Sequence, residues 1–226
     1  MYGKSELRKL NPLNPSQSLR SHQLDEHYFG EGITYFQDSE GNNKILQLTW
    51  KKKIAFVYDA NTMKKINEFT FETTTGEGWG VTFDKENMEF IVSDGGTNLH
   101  FWDRDTFKEK RKLEIKIRKV GQNNKSKEHK VLWLNELEFT HLKFKHKSGK
   151  TLDLPIILAN VYGEDALICI DPYTGLVRRV YDFTNLYPTH ESRGEEVFNG
   201  VSISDEEGIF YVTGKLWPYL YKIKLL

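Results

Sequence analysis

A short phrase that could bring proton-transfer and stacking groups to one place recurs along the chain. Residues 29–34 read FGEGIT and residues 76–82 read GEGWGVT, with weaker copies at 134–138 (LNELE) and 197–202 (VFNGVS). Each copy places Glu, Asn or an aromatic residue just before or at the start of a short β-type segment. A carboxyl group can move protons, and an amide can donate and accept hydrogen bonds. A repeat that delivers such groups to the same structural position predicts a ring-shaped fold around one shared pocket.

The segments between the copies carry the signature of strands joined by tight turns. Three of them end a strand on Asp and place Thr three residues later, a pair that can bond the turn backbone and fix a hairpin. The pairs are Asp59 and Thr62, Asp103 and Thr106, and Asp171 and Thr174. Residues 5–15 resemble a degenerate fourth copy. Dense strand signals with almost no helix signal predict an all-β fold.

Each copy of the phrase opens a module of four short antiparallel strands. The predicted inner strands span residues 32–35, 80–83, 136–139 and 200–203, and their partners span 45–49, 90–93, 156–160 and 210–213. The modules recur roughly every 48 to 64 residues, which suits a β-propeller blade better than a sandwich. We therefore expect residues 1–226 to form a single β-propeller domain. The variable spacing between the modules is explained by polar surface-loop insertions at residues 120–130 and 186–194.

The two ends of the chain are expected to hold incomplete blades. The chain opens on what look like the third and fourth strands of a blade, residues 6–11 and 18–24, and closes on a third strand, residues 220–226. About 17 strands are visible, where five complete blades need about 20. The pattern predicts a five-bladed β-propeller of four-stranded antiparallel blades, missing the N-terminal strands of its first blade and the closing strand. We expect an N-terminally shortened chain.

Composition argues against several classes of function. Lys+Arg and Asp+Glu both total 32 among 226 residues, a formal net charge of +0, which argues against binding of nucleic acid through its phosphates. Mean hydropathy is −0.60, and no apolar run approaches the roughly 20 residues of a membrane span. The single cysteine, Cys169, excludes an intramolecular disulfide and is expected to be an inert buried thiol. The seven histidines show no metal-ligand spacing.

Several motifs in order carry a family resemblance. Residues 29–34 (FGEGIT), 48–50 (LTW), 76–80 (GEGWG), 134–138 (LNELE), 159–161 (ANV) and 213–218 (TGKLWP) resemble the plant and bacterial type of glutaminyl cyclase, also called glutaminyl-peptide cyclotransferase. The resemblance runs from about Tyr2 to the C-terminus. It implies a five-bladed β-propeller and an enzyme that converts N-terminal glutamine into pyroglutamate with release of ammonia, without a metal. Members commonly travel the secretory route, although the chain opens without a signal-peptide pattern, so localisation stays open.

The chain departs from the family pattern at two places. Family members begin with a Phe-Thr-Gln-Gly strand whose Phe and Gln line the pocket, and this chain has no such segment. Its absence matches the strands missing from the first blade. Tyr162 stands where the family has a tryptophan. It keeps a stacking face and adds a hydroxyl, which bears on substrate preference.

The reaction fixes what the site residues must do. The neutral α-amine attacks the γ-carboxamide carbon while the leaving nitrogen receives a proton, and one carboxyl group can shuttle that proton. The resemblance implies Glu31 as this group, with Asn135 and Lys215 positioning the carboxamide and stabilising charge on its oxygen. The remaining candidates would bind the substrate: Phe29, Trp50, Trp79, Tyr162 and Asn199. On spacing alone, Glu31 could instead be a solvated loop residue and the aromatic residues could be blade packing.

Two functions from different classes follow. The first is a glutaminyl-peptide cyclotransferase acting on peptides or proteins with N-terminal glutamine, as a monomer without metal or other cofactor. The second is a catalytically impaired propeller that binds peptides as an interaction scaffold. The set of Glu31, Asn135 and Lys215 favours the enzyme, and the missing first inner strand favours the scaffold.

Overall fold

All the regular structure of the described residues is β-strand. A computed structural model describes residues 2–121, 123, 125–146, 148–187 and 196–225. Their strands are β1 Glu6–Asn11, β2 Asn14–Gln23, β3 Gly30–Gln37, β4 Asn43–Thr49, β5 Ile54–Asp59, β6 Lys65–Thr70, β7 Val81–Asp84, β8 Glu89–Val92, β9 Asn98–Asp103, β10 Glu109–Glu114, β11 Lys116–Val120, β12 Ser126–Lys130, β13 Leu134–Lys145, β14 Thr151–Val161, β15 Ala166–Ile170, β16 Val177–Asp182, β17 Phe198–Ile203, β18 Ile209–Gly214 and β19 Tyr221–Lys224. The prediction of an all-β fold is confirmed.

Four antiparallel sheets repeat along the chain, each built from consecutive strands. Sheet I is β3–β6, sheet II is β7–β10, sheet III is β13–β16 and sheet IV is β17–β19. Two separate hairpins, β1–β2 and β11–β12, complete the described structure. The first strand of each sheet opens on a copy of the repeated phrase, as the sequence predicts.

The sheets stack face to face in a propeller-like arrangement. One apolar cluster joins Leu46 and Leu48 of sheet I to Phe90 of sheet II, and the next cluster joins sheet II to sheet III. A third cluster joins Leu158 of sheet III to Phe210 of sheet IV. Side chains that alternate along each strand bury both faces of a sheet between its neighbours. The order of packing therefore follows the order of the chain.

The inner strands surround a central cavity. Strands β3, β7, β13 and β17 lie beside one another in that order and line a cavity of about 1900 Å³. Ile33 on β3 and Ile203 on β17 also line it and stay about half exposed. Among the described residues, no apolar cluster joins sheet IV to sheet I.

The predicted Asp–Thr turns have the expected hydrogen bonds. The Asp59 Oδ1 atom accepts from both the backbone N–H and the hydroxyl of Thr62, at 2.7 Å each. Asp103 makes the same two bonds to Thr106, at 2.9 Å each. Asp171 accepts the backbone N–H of Thr174 at 3.0 Å. These short-range contacts fix the hairpin between the third and fourth strands of sheets I to III.

The prediction of a surface loop at residues 120–130 is wrong in part. Strands β11 and β12 are paired, with Lys116 opposite Lys130 and Val120 opposite Ser126. The second half of the predicted loop is therefore a strand of a hairpin. Arg118 donates to Glu128 across the pair at 2.9 Å, because charged side chains on a solvated two-stranded ribbon can face one another. Polarity alone does not separate such a ribbon from a loop.

The predicted strand count and lengths also need correction. The described residues contain 19 strands rather than about 17, and β13 and β14 run well past the predicted 136–139 and 156–160. Residues 188–194 of the second predicted insertion, and Leu226 of the last predicted strand, lie outside the described residues.

Cys169 is fully buried, and burial raises the pKa of its thiol to about 12. Among the described residues no helix is long and apolar enough to cross a membrane.

Candidate active site

The repeated phrase falls on a break in the hydrogen-bond register at the start of the inner strands. The register shifts between Gly30 and Ile33 on β3, between Leu134 and Leu137 on β13, and between Phe198 and Val201 on β17. These breaks contain Glu31, Asn135 and Asn199. A bulge re-aims the side chains it holds, so the same local irregularity turns three polar residues out of the regular sheet pattern.

Gly32 and Gly80, near the start of two inner strands, let the main chains of neighbouring sheets come into direct contact. The Gly32 N–H donates to the Trp79 carbonyl at 2.7 Å, and a Cβ on Gly32 would stand 2.5 Å from that oxygen. A Cβ on Gly80 would stand 2.0 Å from the Asn135 carbonyl oxygen. The Ser93 hydroxyl donates to the same carbonyl at 2.7 Å. Sheets I, II and III are thus tied together at the residues that carry the candidate site.

Glu77 organises two of the predicted aromatic residues, and the sequence reading gave it no role. Its Oε2 atom accepts the indole N–H of Trp50 at 2.7 Å and that of Trp79 at 2.9 Å. One carboxylate therefore fixes the orientation of both rings. Glu77 lies in the GEGWG copy of the phrase, so the signal was present in the sequence, but its bond to Trp50 of sheet I was not.

The other predicted aromatic residues extend this wall. The rings of Phe29 and Trp50 meet edge to face with centroids 5.6 Å apart, and those of Trp79 and Tyr162 with centroids 5.8 Å apart. The Lys215 ammonium lies 5.4 Å from the centre of the Tyr162 ring, within the range of a cation–π contact. A continuous aromatic rim therefore leads from Phe29 to Lys215.

Glu31 meets Lys215 across the ring. Its Oε1 atom lies 3.9 Å from the Lys215 Nζ atom, and its side chain is 11% exposed. Burial raises the pKa of Glu31 to about 7, against the opposing positive charge of Lys215. A carboxyl group with this pKa exchanges its proton readily near neutral pH. The pair joins sheet I to the loop after β18, residues that are far apart in the sequence.

Two carboxyl groups to which the sequence analysis gave no role, Glu136 and Glu138, line the central cavity, whose lining does not include Glu31 or Lys215. Burial raises the pKa of Glu136 to about 8, with the Glu31 charge adding to the rise and Lys215 opposing it. Burial also raises the pKa of Glu138 to about 8, although the Ile203 backbone N–H bonds to this group and opposes the rise. At the equivalent place on β7, the Thr82 hydroxyl accepts the Phe139 N–H at 2.9 Å. Glu138 and Thr82 therefore each accept a backbone N–H of the next inner strand and link the two strands.

The two predicted amide residues are buried with unused hydrogen-bonding capacity. Asn135 is 2% exposed and Asn199 is 9% exposed. Within the described part of the chain, the Oδ1 atom of Asn135 and the Nδ2 atom of Asn199 have no hydrogen-bond partner. Buried amides without partners are costly, and a bound ligand with an amide group could supply both a donor and an acceptor.

Comparison with known proteins identifies the family. The family model described as "Glutamine cyclotransferase" matches residues 1–225. The chain belongs to the glutamine cyclotransferase family. This confirms the resemblance drawn from the motifs. Within the family, a glutaminyl-peptide cyclotransferase of Arabidopsis thaliana is 28% identical over 228 residues, which include all of this chain and 61% of that relative.

A solved structure supports the same family assignment. The crystal structure of Myxococcus xanthus glutaminyl cyclase matches with a TM-score of 0.73 and 28% identity. The match covers 96% of this glutamine cyclotransferase-family chain and 80% of that structure. The chain spans about three fifths of the length of the curated Arabidopsis relative.

Among the described residues, no three His, Cys, Asp or Glu side chains form a group that could hold a metal. The carboxyl groups nearest the candidate site are Glu31, Glu136 and Glu77, and two of these have raised pKa values. The arrangement is therefore one of exchangeable protons beside a fixed cation and an aromatic rim.

Proposed function

We propose that this protein cyclises the N-terminal glutamine of peptides or proteins to pyroglutamate and releases ammonia. The observation that carries the proposal is Glu31, a largely buried carboxyl group of pKa about 7 that lies 3.9 Å from Lys215, the cation at one end of the aromatic rim. Membership of the glutamine cyclotransferase family supports the same reaction. The partners are thus peptides and not nucleic acids.

Glu31 can move every proton that the reaction requires. Its carboxylate takes a proton from the substrate ammonium, whose pKa is about 8, and leaves a neutral amine. The amine nitrogen forms a bond to the γ-carboxamide carbon. Glu31 then gives its proton to the leaving nitrogen and receives one from the attacking nitrogen, so the carbon–nitrogen bond of the carboxamide breaks and ammonia departs. Ammonia finally accepts the proton from Glu31, which returns it to the carboxylate form.

Lys215 and Asn135 act on the carboxamide during this sequence. The Lys215 ammonium offers positive charge to the oxygen on which negative charge develops. The buried Asn135 amide, whose Oδ1 atom has no partner among the described residues, accepts a hydrogen bond from the N–H group of the carboxamide and so positions it. We propose that Asn199 makes a similar contact with the peptide, and that Phe29, Trp50, Trp79 and Tyr162 enclose the uncharged part of the glutamine. No metal or cofactor takes part in these steps, and the protein acts as a monomer.

We also propose that the β1–β2 hairpin is the outer part of a fifth blade. Leu7 and Leu24 of this hairpin region pack against Phe56 and Tyr58 of sheet I. This is the kind of contact that each of the four sheets makes with its neighbour. A fifth blade would stand between sheets IV and I, where Ile33 and Ile203 remain exposed.

The assay measures ammonia release from a short peptide with N-terminal glutamine. We expect steady release, unchanged by a zinc chelator, and none from the same peptide with an acetylated N-terminus, because the acetylated nitrogen cannot attack. Binding of the free peptide without any ammonia release would overturn the enzymatic proposal and favour the peptide-binding scaffold. Loss of activity with the chelator would overturn the metal-independent mechanism.

A further inference from the structure

His100 on β9 is a buried histidine held between two carboxylates, outside the residues assigned to the reaction. Its side chain is fully buried. The Nε2 atom lies 3.1 Å from Oδ2 of Asp94, and the Nδ1 atom lies 2.6 Å from Oε2 of Glu109. Only an imidazolium can donate from both nitrogens at once. The geometry is that of a charged histidine that links Glu109 on β10 to Asp94 in the loop after β8.

Asp94 connects His100 to the residues that support the aromatic rim. Its carboxylate accepts the backbone N–H of Thr75 at 2.9 Å and that of Gly96 at 2.9 Å, and its own carbonyl accepts the Thr75 hydroxyl at 2.7 Å. The intervening Gly95 packs directly on the Trp79 indole, since a Cβ on Gly95 would stand 2.6 Å from a ring atom. Asp94 therefore fixes both the loop before Trp79 and the backbone on which its ring rests.

The same loop carries Glu77. The Thr73 hydroxyl donates to the Glu77 carbonyl at 2.7 Å, so residues 73–77 form a tight segment between the Asp94 contact and the carboxylate that binds two indoles. A continuous set of hydrogen bonds leads from Glu109 through His100, Asp94 and Thr75 to this segment. Displacing Thr75 would therefore move the group that orients Trp50 and Trp79.

We propose that His100 is a positioning residue for substrate binding. In its charged form it holds Asp94 and the 73–77 segment in place, and in its neutral form it releases them, so that the aromatic rim binds the peptide less tightly at alkaline pH. The expected effect on the reaction rests on the proposed function. The hydrogen-bonded link between His100 and the aromatic rim does not depend on whether the protein catalyses that reaction.

The structure also contains the alternative partner that the neutral form requires. The Thr74 backbone N–H points at the Nε2 atom of His100 from 3.4 Å, and it can donate only when that nitrogen carries no proton. A neutral His100 keeps its proton on Nδ1 for Glu109 and presents a lone pair on Nε2. That lone pair repels the Asp94 carboxylate and accepts from Thr74 instead. In the charged form His100 is therefore linked to the loop through Asp94 and Thr75. After the loss of one proton it is linked to the loop through Thr74 instead.

The charged groups around His100 favour the imidazolium. Burial opposes the charge, but the bonds to Asp94 and Glu109 outweigh it and raise the pKa of His100 above its usual value. Burial likewise opposes charge on Asp94, yet the bonds from His100, Thr75 and Gly96 hold its pKa below its usual value. From β10, Lys112 lies 3.7 Å from Glu109 and donates to the Thr74 hydroxyl at 3.3 Å. On the loop, Glu72 binds Lys53 and Glu77 faces Lys51.

The kinetic test compares three variants with the unchanged protein across pH 6 to 10. Glu109→Gln removes the outer carboxylate and leaves Asp94 and its bonds to the loop in place, so we expect the alkaline rise in KM to move about one pH unit lower. His100→Asn should raise KM about fivefold at pH 7 and abolish that rise, with kcat within about threefold. His141→Asn is the matched control, because His141 also lies between two carboxylates, Glu86 and Asp153, on another sheet.

A second measurement does not need turnover. The indole N–H resonances of Trp50 and Trp79, assigned from Trp50→Phe and Trp79→Phe, should shift with pH at the midpoint of His100, and at a lower midpoint in Glu109→Gln. If no peptide is cyclised but the indole signals titrate in this way, the proposed function fails and the role of His100 stands. Indole signals unaffected by Glu109→Gln, or a KM profile of that variant equal to the unchanged protein, would overturn the inference. Because Glu109 is partly exposed, this variant tests it even if His100→Asn does not fold.

Discussion

The bulges of β3 and β13 stand at equivalent places on two sheets and hold different chemistry. Their first positions are Glu31 and Asn135, and their second positions are Gly32 and Glu136. At Gly32 the next inner strand approaches so closely that no side chain fits. At Glu136 there is room, and a carboxyl group of raised pKa faces the cavity.

The difference shows how one local structure can serve two purposes. The first bulge position carries a candidate site residue on both strands, while the residue type at the second is set by how closely the neighbouring sheet approaches. A glutamate at the first position on β3 meets Lys215, whereas the glutamate at the second position on β13 acquires a neutral form at pH 7. Similar residues at neighbouring positions should therefore respond differently to the same substitution.

Replacing Glu31 by Gln should cause the largest loss. Gln cannot accept or release a proton, so kcat/KM for ammonia release at pH 7 should fall about 10³-fold. Glu136→Gln should stay within about threefold, because a carboxyl group of pKa about 8 is already neutral at that pH and Gln has nearly the same shape. Equal losses in the two variants would mean that the proton is shared between them, and an active Glu31→Gln protein would remove Glu31 from the mechanism.

The amides of the two polar bulges provide a smaller contrast. Asn135→Ala should lower kcat about 10²-fold with little change in KM, as expected for a group that acts on the reacting carboxamide. Asn199→Ala, at the equivalent position on β17, should act mainly on KM, raising it about fivefold, as expected for a group proposed to contact the rest of the peptide. Thermal melting of both variants serves as the control for folding. The distinction fails if both changes appear in KM alone.

Glu138→Gln should change stability rather than activity. The pKa of Glu138 is raised from 4.5 to about 8, so the folded state holds a proton that the unfolded chain has lost. Stability therefore falls as pH rises through this window, and the penalty is complete above pH 8. Gln keeps the acceptor for the Ile203 N–H and removes the penalty, which a rise of this size puts on the order of 5 kcal/mol.

The measurement is the melting temperature at two pH values. Glu138→Gln should melt about 10–20 °C above the unchanged protein at pH 8.5 and close to it at pH 4.5, where both side chains are neutral. A variant that is less stable at both pH values would show that the hydrogen bond to Ile203 requires the carboxyl group.

The sequence was most informative where interactions are short in range. Alternation and turn chemistry predicted the four inner strands and their partners, and the Asp59 and Asp103 turns have the bonds that the residue spacing requires. Both strands of the β11–β12 hairpin were missed because a largely exposed two-stranded ribbon has no apolar alternation to detect. The motifs also predicted the family, while the assigned roles of Glu31, Asn135, Lys215 and the aromatic residues stay predictions.

By itself, the sequence determined the β-class of the fold, the order of its modules and the residue types available to the site, because local patterns of burial and turn chemistry encode them. Only the tertiary structure decided which groups meet. The 3.9 Å approach of Lys215 to Glu31, the bonds from Trp50 and Trp79 to Glu77, and the bridge from His100 to Asp94 and Glu109 join residues on different strands or sheets. The raised pKa values arise there too, since desolvation and neighbouring charge are properties of the assembled ring and not of the chain.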